Sequence, residues 1–277
     1  MSKKLSLIVF IDAFGWEIFK KYDFLQDILT FQRPLGTILG YSSTCDPTIL
    51  TGKLPREHGH FSFFVYDPKS SPFKICKLFG LLPHSITRRG RVRRMMSKMI
   101  GRYYGYTGYF QLYNMPFRHL DLFDYSEKRD LYEKGGINTG LPTIFDYLRQ
   151  QRIPFHLSNW RRSEEENLKT LSGDLKKGEA TFAYLYMAAM DATLHAQGTN
   201  GKDVGKKIRW YEEKLRSILK TASEKYESTR IFVFSDHGMT DVTQGCNLMG
   251  RIDKLGLRFG KDFVAVYDST MARFWFF

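Results

Sequence analysis

Short apolar runs alternate with longer patterned segments along the chain. Residues 5–11, 180–190 and 230–235 form three runs in which most side chains are apolar. Short apolar runs bounded by polar residues are typical of strands buried in the core of a sheet. We therefore expect all three runs to be core strands.

Helical periodicity marks two segments between these runs. Residues 140–150 predict a helix packed on the sheet, with Pro142 near its start. Its predicted buried face consists of Ile144, Tyr147 and Leu148. Residues 203–227 show the clearest stripe, formed by Val204, Ile208, Tyr211, Leu215, Ile218 and Leu219. With a short strand predicted at 152–158, the alternation indicates an α/β fold with a central, mostly parallel sheet flanked by helices.

Metal-ligand side chains follow each of the three apolar runs. They are Asp12 after the first, Asp191 and His195 after the second, and Asp236 and His237 after the third. An aspartate after a strand is commonly a turn or cap residue, and Asp191 with His195 also suits a surface pair on a helix. The shared placement favours a site instead, because open α/β sheets bind ligands beyond their strand ends. The oxygen and nitrogen ligands suit zinc or manganese.

Composition supplies the material for one large domain. The 277 residues are 43% hydrophobic and 16% aromatic, which is enough for a substantial core. The sequence contains no 18-residue apolar span, and Asp12 follows the N-terminal run without the cleavage site of a signal peptide. Three cysteines are too few for a disulfide scaffold. We therefore predict a cytoplasmic protein with a single domain over residues 1–277.

The alternation of strand and helix is lost between residues 72 and 130. Seven of the fifteen residues from Arg88 to Arg102 are basic, and apolar or aromatic residues flank them across 73–106. A charge run is usually a solvated helical face, but the apolar flanks favour binding to an anionic surface, whether lipid head groups, a polyphosphate or nucleic acid. The partner we expect among these is an anionic membrane surface, at the inner membrane face. The net charge of +13 favours acidic partners. No specific nucleic-acid site is predicted.

Four segments resemble the alkaline phosphatase superfamily and, within it, the type I phosphodiesterase/nucleotide pyrophosphatase branch. They are residues 11–15, 42–59, 191–198 and 235–239. The resemblance implies an alkaline phosphatase-like fold in which 72–130 is an inserted cap that selects the substrate. It also implies two divalent metal ions, one held by Asp12, Asp236 and His237 and the other by Asp191 and His195.

The resemblance further implies a hydroxyl nucleophile. Counting back along the family's pattern from the Thr-Gly pair selects Ser42, with Ser43 and Thr44 as alternatives. The same hydroxyls would suit the N-cap of a helix that begins near Asp46 or Pro47. A hydroxyl at a helix N-terminus is also well placed for a bound phosphate, so both interpretations are compatible.

Phe63 departs from the family's pattern. It stands where this branch has an asparagine that donates a hydrogen bond to the phosphate. Ser62 or Asn114 would have to supply a substitute donor. Arg88 and Arg91, in the basic segment, are further candidates for substrate binding.

Two other features limit the resemblance. No histidine follows His237, although the family's second metal normally takes a third ligand from a downstream histidine. Cys45 begins a sulfatase-like Cys-x-Pro sequence but lacks the arginine that should follow, since Ile49 stands there. The chain ends in the apolar run 271–277, so we expect it to be the N-terminal portion of a longer protein, without the C-terminal part of its domain.

These observations predict a metal-dependent phosphoric ester hydrolase of the phosphodiesterase/nucleotide pyrophosphatase type. Divalent ions would activate the Ser42 hydroxyl for in-line attack on phosphorus. The expected substrate is a phosphate-ester small molecule or a phosphorylated glycan or lipid. Two alternatives stay open: a catalytically weakened member that only binds such a ligand, and a phosphotransferase that passes the phosphoryl group to an alcohol.

Overall fold

Strands and helices follow one another in the alternating order of α/β proteins. The computed structural model describes residues 3–81, 87, 89–113, 115–267 and 271–277. In chain order the elements are β1 (Lys4–Ile11), α1 (Trp16–Lys21), α2 (Ser42–Thr51), α3 (Pro55–His58), β2 (Phe64–Tyr66), a 3-10 helix (Lys74–Leu81), α4 (Gly90–Tyr104), a second 3-10 helix (Phe117–Leu122), β3 (Phe123–Tyr125), α5 (Ile144–Gln150), β4 (Phe155–Leu157), α6 (Glu164–Lys177), β5 (Phe182–Met187), α7 (Ala189–Gln197), α8 (Val204–Ser223), β6 (Ser228–Phe234), α9 (Leu248–Asp253), β7 (Phe263–Tyr267) and β8 (Ala272–Phe276).

These elements belong to two compact units. The first combines Met1–Asp46 with Asp146–Thr243, and the second combines Pro47–Phe145 with Gln244–Phe277. The segment predicted as an insertion, residues 72–130, lies wholly within the second unit.

The first unit is built on four parallel strands in the order β4-β5-β1-β6. β1 pairs with β5 on one side and with β6 on the other, so that Ile11 lies beside Met187 and Phe10 beside Phe234. Because these strands all run in the same direction, their carboxyl ends meet at one edge. The predicted α/β fold with a central parallel sheet flanked by helices is confirmed.

The three apolar runs form β1, β5 and β6, but the second run contains more than a strand. β5 ends at Met187, and the last apolar residues of the run, Ala189 and Met190, begin α7. Met190 is fully buried in that helix. Apolar content alone cannot separate a buried strand from a buried helical turn that follows it. Asp191 therefore lies in the first turn of α7 and not directly at the strand end.

Helices α6 and α8 contribute apolar faces to the core around the sheet. The predicted stripe of α8 is confirmed, with five buried members and Leu219 partly buried against them. The predicted face of α5 is wrong in part. Leu148 is buried as expected, but Ile144 and Tyr147 are exposed and Phe145 is buried in their place. In so short a helix, the apolar residues at 144, 145, 147 and 148 do not define a single stripe.

The second unit is held together mainly by aromatic side chains. It contains two antiparallel strand pairs, β2 with β3 and β7 with β8. Its core has fully buried rings from Phe64, Phe73, Phe123 and Tyr125. Rings in edge and stacked arrangements stabilise each other beyond their buried area. The segment with the highest charge density thus belongs to a unit that has a substantial apolar core of its own.

Two buried histidines stabilise the segment after α3. His58 is fully buried, and its Nε2 lies 3.0 Å from the hydroxyl of Thr48. Its Nδ1 accepts a hydrogen bond of 3.1 Å from the backbone N–H of His60. These contacts give His58 a structural role.

No helix within the described residues is both long enough and apolar enough to cross a membrane.

Replacing His60 should reduce the dependence of stability on pH. Burial lowers the pKa of His60 from its ordinary 6.5 to about 4, with a smaller contribution from His58. The unfolded chain therefore takes up this proton below pH 6.5, while the folded protein resists it, so stability falls as the pH drops from 6.5 towards 4. We expect this residue to account for about 2 kcal/mol of the stability lost between pH 7 and pH 5. Urea unfolding of the wild type and of His60→Gln at both pH values measures it.

The comparison uses the change with pH, which is insensitive to any constant loss caused by the substitution itself. Burial also lowers the pKa of His58 and of His156, so the variant should keep part of the acid sensitivity. An equal loss of stability in both proteins would contradict the assignment to His60.

Candidate functional site

The carboxyl edge of the first unit's sheet brings four of the five predicted metal ligands together. Asp12 follows β1, Asp236 and His237 follow β6, and Asp191 lies in the first turn of α7 after β5. Nε2 of His237 lies 3.3 Å from Oδ2 of Asp236 and 3.8 Å from Oδ1 of Asp12. Parallel strands thus deliver acidic and imidazole side chains from three separate segments to one place.

Asp12, Asp191 and His237 form a cluster with the spacing of a metal site. Each offers one ligand atom, and these atoms all lie within 4.8 Å of one another. Two carboxylate oxygens and an imidazole nitrogen are a donor set that zinc and manganese accept. The cluster combines residues that the family resemblance divides between two metals.

The surroundings of Asp12 disfavour the charged form of its carboxyl group. Burial raises its pKa to about 8, and the negative charges of Asp236 and Asp191 add to the shift, while a contact from Tyr186 opposes it. Oδ1 of Asp12 is buried and has no hydrogen-bond partner among the described residues. A buried carboxylate oxygen without a partner, next to two further carboxylates, fits a divalent cation.

Asp236 is the best satisfied of the acidic groups. Its Oδ1 accepts a hydrogen bond of 3.3 Å from the backbone N–H of Ala13, and its Oδ2 accepts one of 2.7 Å from the hydroxyl of Ser42. The Ser42 Oγ also lies 3.4 Å from Nε2 of His237. Asp236 therefore links its own loop, after β6, to the loop after β1 and to the start of α2. Its hydrogen bond also fixes the direction of the Ser42 side chain.

Helix α2 begins earlier than the sequence suggests. The expected start was near Asp46 or Pro47, but the helix runs from Ser42 and contains Pro47. Pro47 is the sixth residue of this helix, where it lacks the N–H that would otherwise bond to the carbonyl four residues earlier. Ser42 is consequently the first helical residue, and its hydroxyl lies beside the N-terminal end of the helix dipole.

The alternative nucleophiles have other surroundings. The Ser43 hydroxyl donates a hydrogen bond of 2.6 Å to the backbone carbonyl of Gly40, and Thr44 is fully buried. The Cys45 thiol donates to the carbonyl of Ile38 at 3.4 Å, and burial raises its pKa. A raised pKa disfavours the thiolate that a cysteine nucleophile requires. The Ser42 hydroxyl, in contrast, donates to Asp236 and lies near the imidazole of His237.

Two non-glycine residues beside the site adopt left-handed backbone conformations. Ala13, next to Asp12, has φ of 59°, and Tyr41, next to Ser42, has φ of 52°. Each such residue costs about 1 kcal/mol, so the surroundings must hold it in place. The Tyr41 ring contacts the His237 ring edge-on, with the centroids 5.4 Å apart. A strained backbone conformation therefore lies next to both Asp12 and Ser42.

His195 stands apart from the buried cluster. Its Nε2 lies 3.3 Å from Oδ1 of Asp191, one helical turn away, and its side chain is 63% exposed. Gly198, three residues later, ends α7 with φ of 72°. A Cβ at this glycine would lie 2.7 Å from Oδ1 of Asp241, whose carboxylate accepts hydrogen bonds from the backbone and hydroxyl of Thr199. Because a φ of 72° with a ψ of 179° is open essentially only to glycine, the backbone conformation itself favours glycine at the end of the 191–198 segment.

The residues suggested for substrate binding lie in the other unit or outside the described residues. Ser62 is buried in the second unit, and its hydroxyl donates a hydrogen bond of 2.6 Å to the carbonyl of Phe64. Phe63 stacks on the Tyr125 ring, with centroids 5.8 Å apart. Arg91 is exposed on α4. Arg88 and Asn114 lie outside the residues that the structure describes.

Sequence reasoning missed Glu164, the first residue of α6. This buried carboxylate accepts hydrogen bonds from the Ala189 backbone N–H at 2.9 Å and from the Tyr211 hydroxyl at 2.7 Å, and it forms an ion pair with Lys207. It therefore fixes the start of α7, two residues before Asp191. Nothing in its local sequence distinguishes it from its neighbours Glu165 and Glu166, so no sequence signal could have identified it.

Loss of the Glu164 carboxylate should weaken both folding and metal binding. Glu164→Ala leaves Lys207 without its counter-charge and frees the start of α7, so we expect a loss of about 3 kcal/mol in unfolding free energy. Zinc titration by calorimetry, at a temperature where the variant is folded, should show an affinity at least about tenfold lower.

Two further variants sharpen this test. Glu164→Gln keeps an acceptor for the Ala189 N–H and should lie between the wild type and the alanine variant. Glu165→Ala, an exposed neighbour on the same helix, should match the wild type in both measurements. Unchanged zinc affinity in folded Glu164→Ala would show that this residue does not position the site.

A close approach of two glycines joins the loops that carry the acidic residues. A Cβ at Gly15, three residues after Asp12, would lie 2.4 Å from the Cα of Gly238, the residue after His237. Gly15 has φ of −71°, which any residue can adopt, so the requirement for glycine is purely steric. The two loops touch backbone to backbone.

Gly15→Ala should therefore force these loops apart. We expect a loss of about 2 kcal/mol in unfolding free energy, because backbone atoms must move to admit the methyl group. Gly36→Ala is the matched control, since a Cβ there meets no atom within 4 Å, and it should change stability by less than about 0.5 kcal/mol. Chemical denaturation measures both, and equal stabilities would contradict the steric argument.

Comparison with known proteins adds a family match. The family model described as type I phosphodiesterase / nucleotide pyrophosphatase matches residues 100–268. The matched region contains Asp191, His195, Asp236 and His237, and it begins after Asp12 and Ser42. No curated protein matches the chain.

Proposed function

The chain belongs to the type I phosphodiesterase/nucleotide pyrophosphatase family, part of the alkaline phosphatase superfamily, and from this we propose that it hydrolyses a phosphoric ester with Ser42 as the nucleophile. The observation that carries the proposal is the position of the Ser42 hydroxyl. It lies 2.7 Å from Asp236 and 3.4 Å from His237, at the start of a ten-residue helix. A hydroxyl next to acidic and imidazole groups is the arrangement of an activated nucleophile.

Metal ions fit the residues around this hydroxyl. We propose Asp12, Asp236 and His237 as ligands of one divalent ion, and Asp191 with the more exposed His195 as ligands of a second. Zinc suits these donors best, and manganese is the alternative. Bound cations would supply positive charge that favours the Ser42 alkoxide and the charge developing on the phosphate oxygens.

The side chains themselves orient the reaction. The hydrogen bond to Asp236 holds the Ser42 Oγ in one rotamer and directs its free lone pairs away from that carboxylate. As the Oγ proton passes to Asp236, which accepts its hydrogen bond, Oγ forms a bond to phosphorus. The bond from phosphorus to the leaving oxygen breaks, and that oxygen takes a proton from water and departs as the alcohol. The positive end of the α2 dipole favours the phosphoryl group on Ser42. Water then attacks phosphorus, the bond from phosphorus to Oγ breaks, and Oγ regains its proton. The product is phosphate from a monoester or a phosphate monoester from a diester.

The substrate is proposed to be a phosphate-ester small molecule or a phosphorylated glycan or lipid. The net charge of +13 favours such anionic ligands at long range. The asparagine that this branch uses on the phosphate is replaced by Phe63, whose ring stacks on Tyr125. Another donor would therefore have to bind the phosphate oxygens.

One observation favours a second candidate function, in which the protein binds a phosphorylated ligand without turnover. His195, a ligand of the proposed second ion, has a side chain that is 63% exposed. Exposed ligands hold metal less firmly than buried, hydrogen-bonded ones. A chain that retains only one metal ion would keep a phosphate-binding site and lose most of its rate.

Substituting Ser42 should abolish hydrolysis. We expect Ser42→Ala to lower kcat on an aryl phosphate mono- or diester by about 1000-fold or more, because the nucleophile is removed. Initial rates on bis(p-nitrophenyl) phosphate and p-nitrophenyl phosphate, with zinc and manganese content measured on the same samples, test this.

Ser43→Ala is the matched control. It removes a neighbouring hydroxyl that donates to Gly40, so it should cost about 1 kcal/mol of stability and leave kcat within about threefold of the wild type. Equal activity in Ser42→Ala and the wild type would refute the assignment of the nucleophile. Bound metal without any turnover in the wild type would favour the binding function.

A further inference from the structure

Helix α4, Gly90–Tyr104, exposes two adjacent rows of side chains with different chemistry. The apolar row consists of Met95, Met99 and Tyr103, which are 57%, 60% and 73% exposed. Four residues separate each member from the next, so all three lie on one side of the helix. The basic row lies beside it and consists of the exposed residues Arg91, Arg94, Lys98 and Arg102.

The opposite side of α4 is firmly packed in the second unit. Met96, Ser97 and Ile100 are buried, and Ser97 accepts a hydrogen bond of 3.1 Å from the Leu112 backbone. Arg93 turns inward, and its guanidinium donates to the Met115 carbonyl at 2.8 Å and lies over the Phe117 ring. The helix therefore has a fixed orientation, and the two exposed rows are not the face that packs against this unit's core.

All charged side chains of α4 are basic. The helix contains no acidic residue, so none of its exposed cations can pair within the helix. Large aliphatic and aromatic side chains at these exposures gain nothing from water, and a row of them beside cations is typical of helices that lie in a membrane interface. The apolar row would enter the acyl boundary while the basic side chains reach the lipid phosphates.

We propose that α4 docks the protein on a membrane rich in anionic phospholipid, with Met95, Met99 and Tyr103 inserted and the basic row on the headgroups. The 3-10 helix Lys74–Leu81, in the same unit, also exposes the apolar side chains of Ile75 and Leu78. A nucleic acid would contact only the basic row, through its phosphates. It would leave the exposed apolar row without a partner. Membrane docking by α4 requires no activity at Ser42.

The experiment is vesicle flotation of the full chain at low ionic strength. The wild type should bind vesicles of mixed phosphatidylglycerol and phosphatidylcholine, and it should bind pure phosphatidylcholine at least about 10-fold more weakly. Added salt should weaken binding to the anionic vesicles, because it screens the basic row. Circular dichroism and thermal unfolding check that each variant is folded.

The charge variant replaces three cations of the basic row with glutamine: Arg94, Lys98 and Arg102. Each contributes about 1 kcal/mol near an anionic surface, so the partition coefficient should fall by about 100-fold. The control replaces three exposed lysines of α6 and α8 with glutamine, so that the net charge changes by the same amount. They are Lys169, Lys176 and Lys220. It should bind nearly as well as the wild type.

The insertion variant replaces the apolar row with serine: Met95, Met99 and Tyr103. It keeps every charge, and we expect its partition coefficient to fall by about 10-fold or more. The control makes the same change at three exposed apolar residues outside α4: Phe31, Val242 and Leu255. It should retain wild-type binding.

Two results would overturn the proposal. Failure of the wild type to bind anionic vesicles would remove the membrane as the partner. Full binding by the serine variant, with loss only in the glutamine variant and displacement by duplex DNA, would identify a polyanion surface that no lipid enters. Loss of binding in both α4 variants, with both controls intact, supports insertion.

Discussion

Repulsion among Asp12, Asp191 and Asp236 is the interaction that governs the first unit's functional edge. Parallel pairing of β1 with β6 places Asp12 and Asp236 at the same edge, and the first turn of α7 adds Asp191. Burial deprives Asp12 of most of the water that would screen its charge. Hydrogen bonds from Ala13 and Ser42 satisfy Asp236, whereas Oδ1 of Asp12 has no such donor among the described residues. Repulsion among these carboxylates destabilises the edge without a cation and favours the binding of one. The unfavourable electrostatics and the proposed metal chemistry therefore have the same cause.

The parts of this arrangement that depend on local pattern could be predicted from the sequence. The apolar runs at 5–11 and 230–235 gave β1 and β6, and the period of 203–227 gave the buried stripe of α8. Asp12, Asp236 and His237 follow those strands directly, so pairing the strands was enough to bring the residues together. Asp191 was harder to place, because its run of apolar residues passes from β5 into α7 without a change in composition.

Other features depend on contacts between distant segments and have no local signature. Glu164 resembles the two glutamates after it, and only the fold shows that it alone accepts the Ala189 N–H. The exposed side of α5 was mispredicted because both faces of that short helix carry apolar residues. The basic segment, in contrast, is recognisable in the sequence as a charge run. The arrangement of a basic row beside an apolar row on α4 is seen only in the structure, where the inward-facing Arg93 and Ile100 fix the orientation of the helix.

The contact between Gly15 and Gly238 has an evolutionary consequence, because its steric demands are unequal. A Cβ at Gly15 would lie 2.4 Å from the opposing backbone, whereas one at Gly238 would lie 3.3 Å from it. A small shift accommodates the second but not the first. Among descendants of this sequence, alanine should therefore be accepted at 238 before it is accepted at 15. A lineage that lost Gly15 would have to rebuild both loops together, so the two sides of the site would change as one inherited unit.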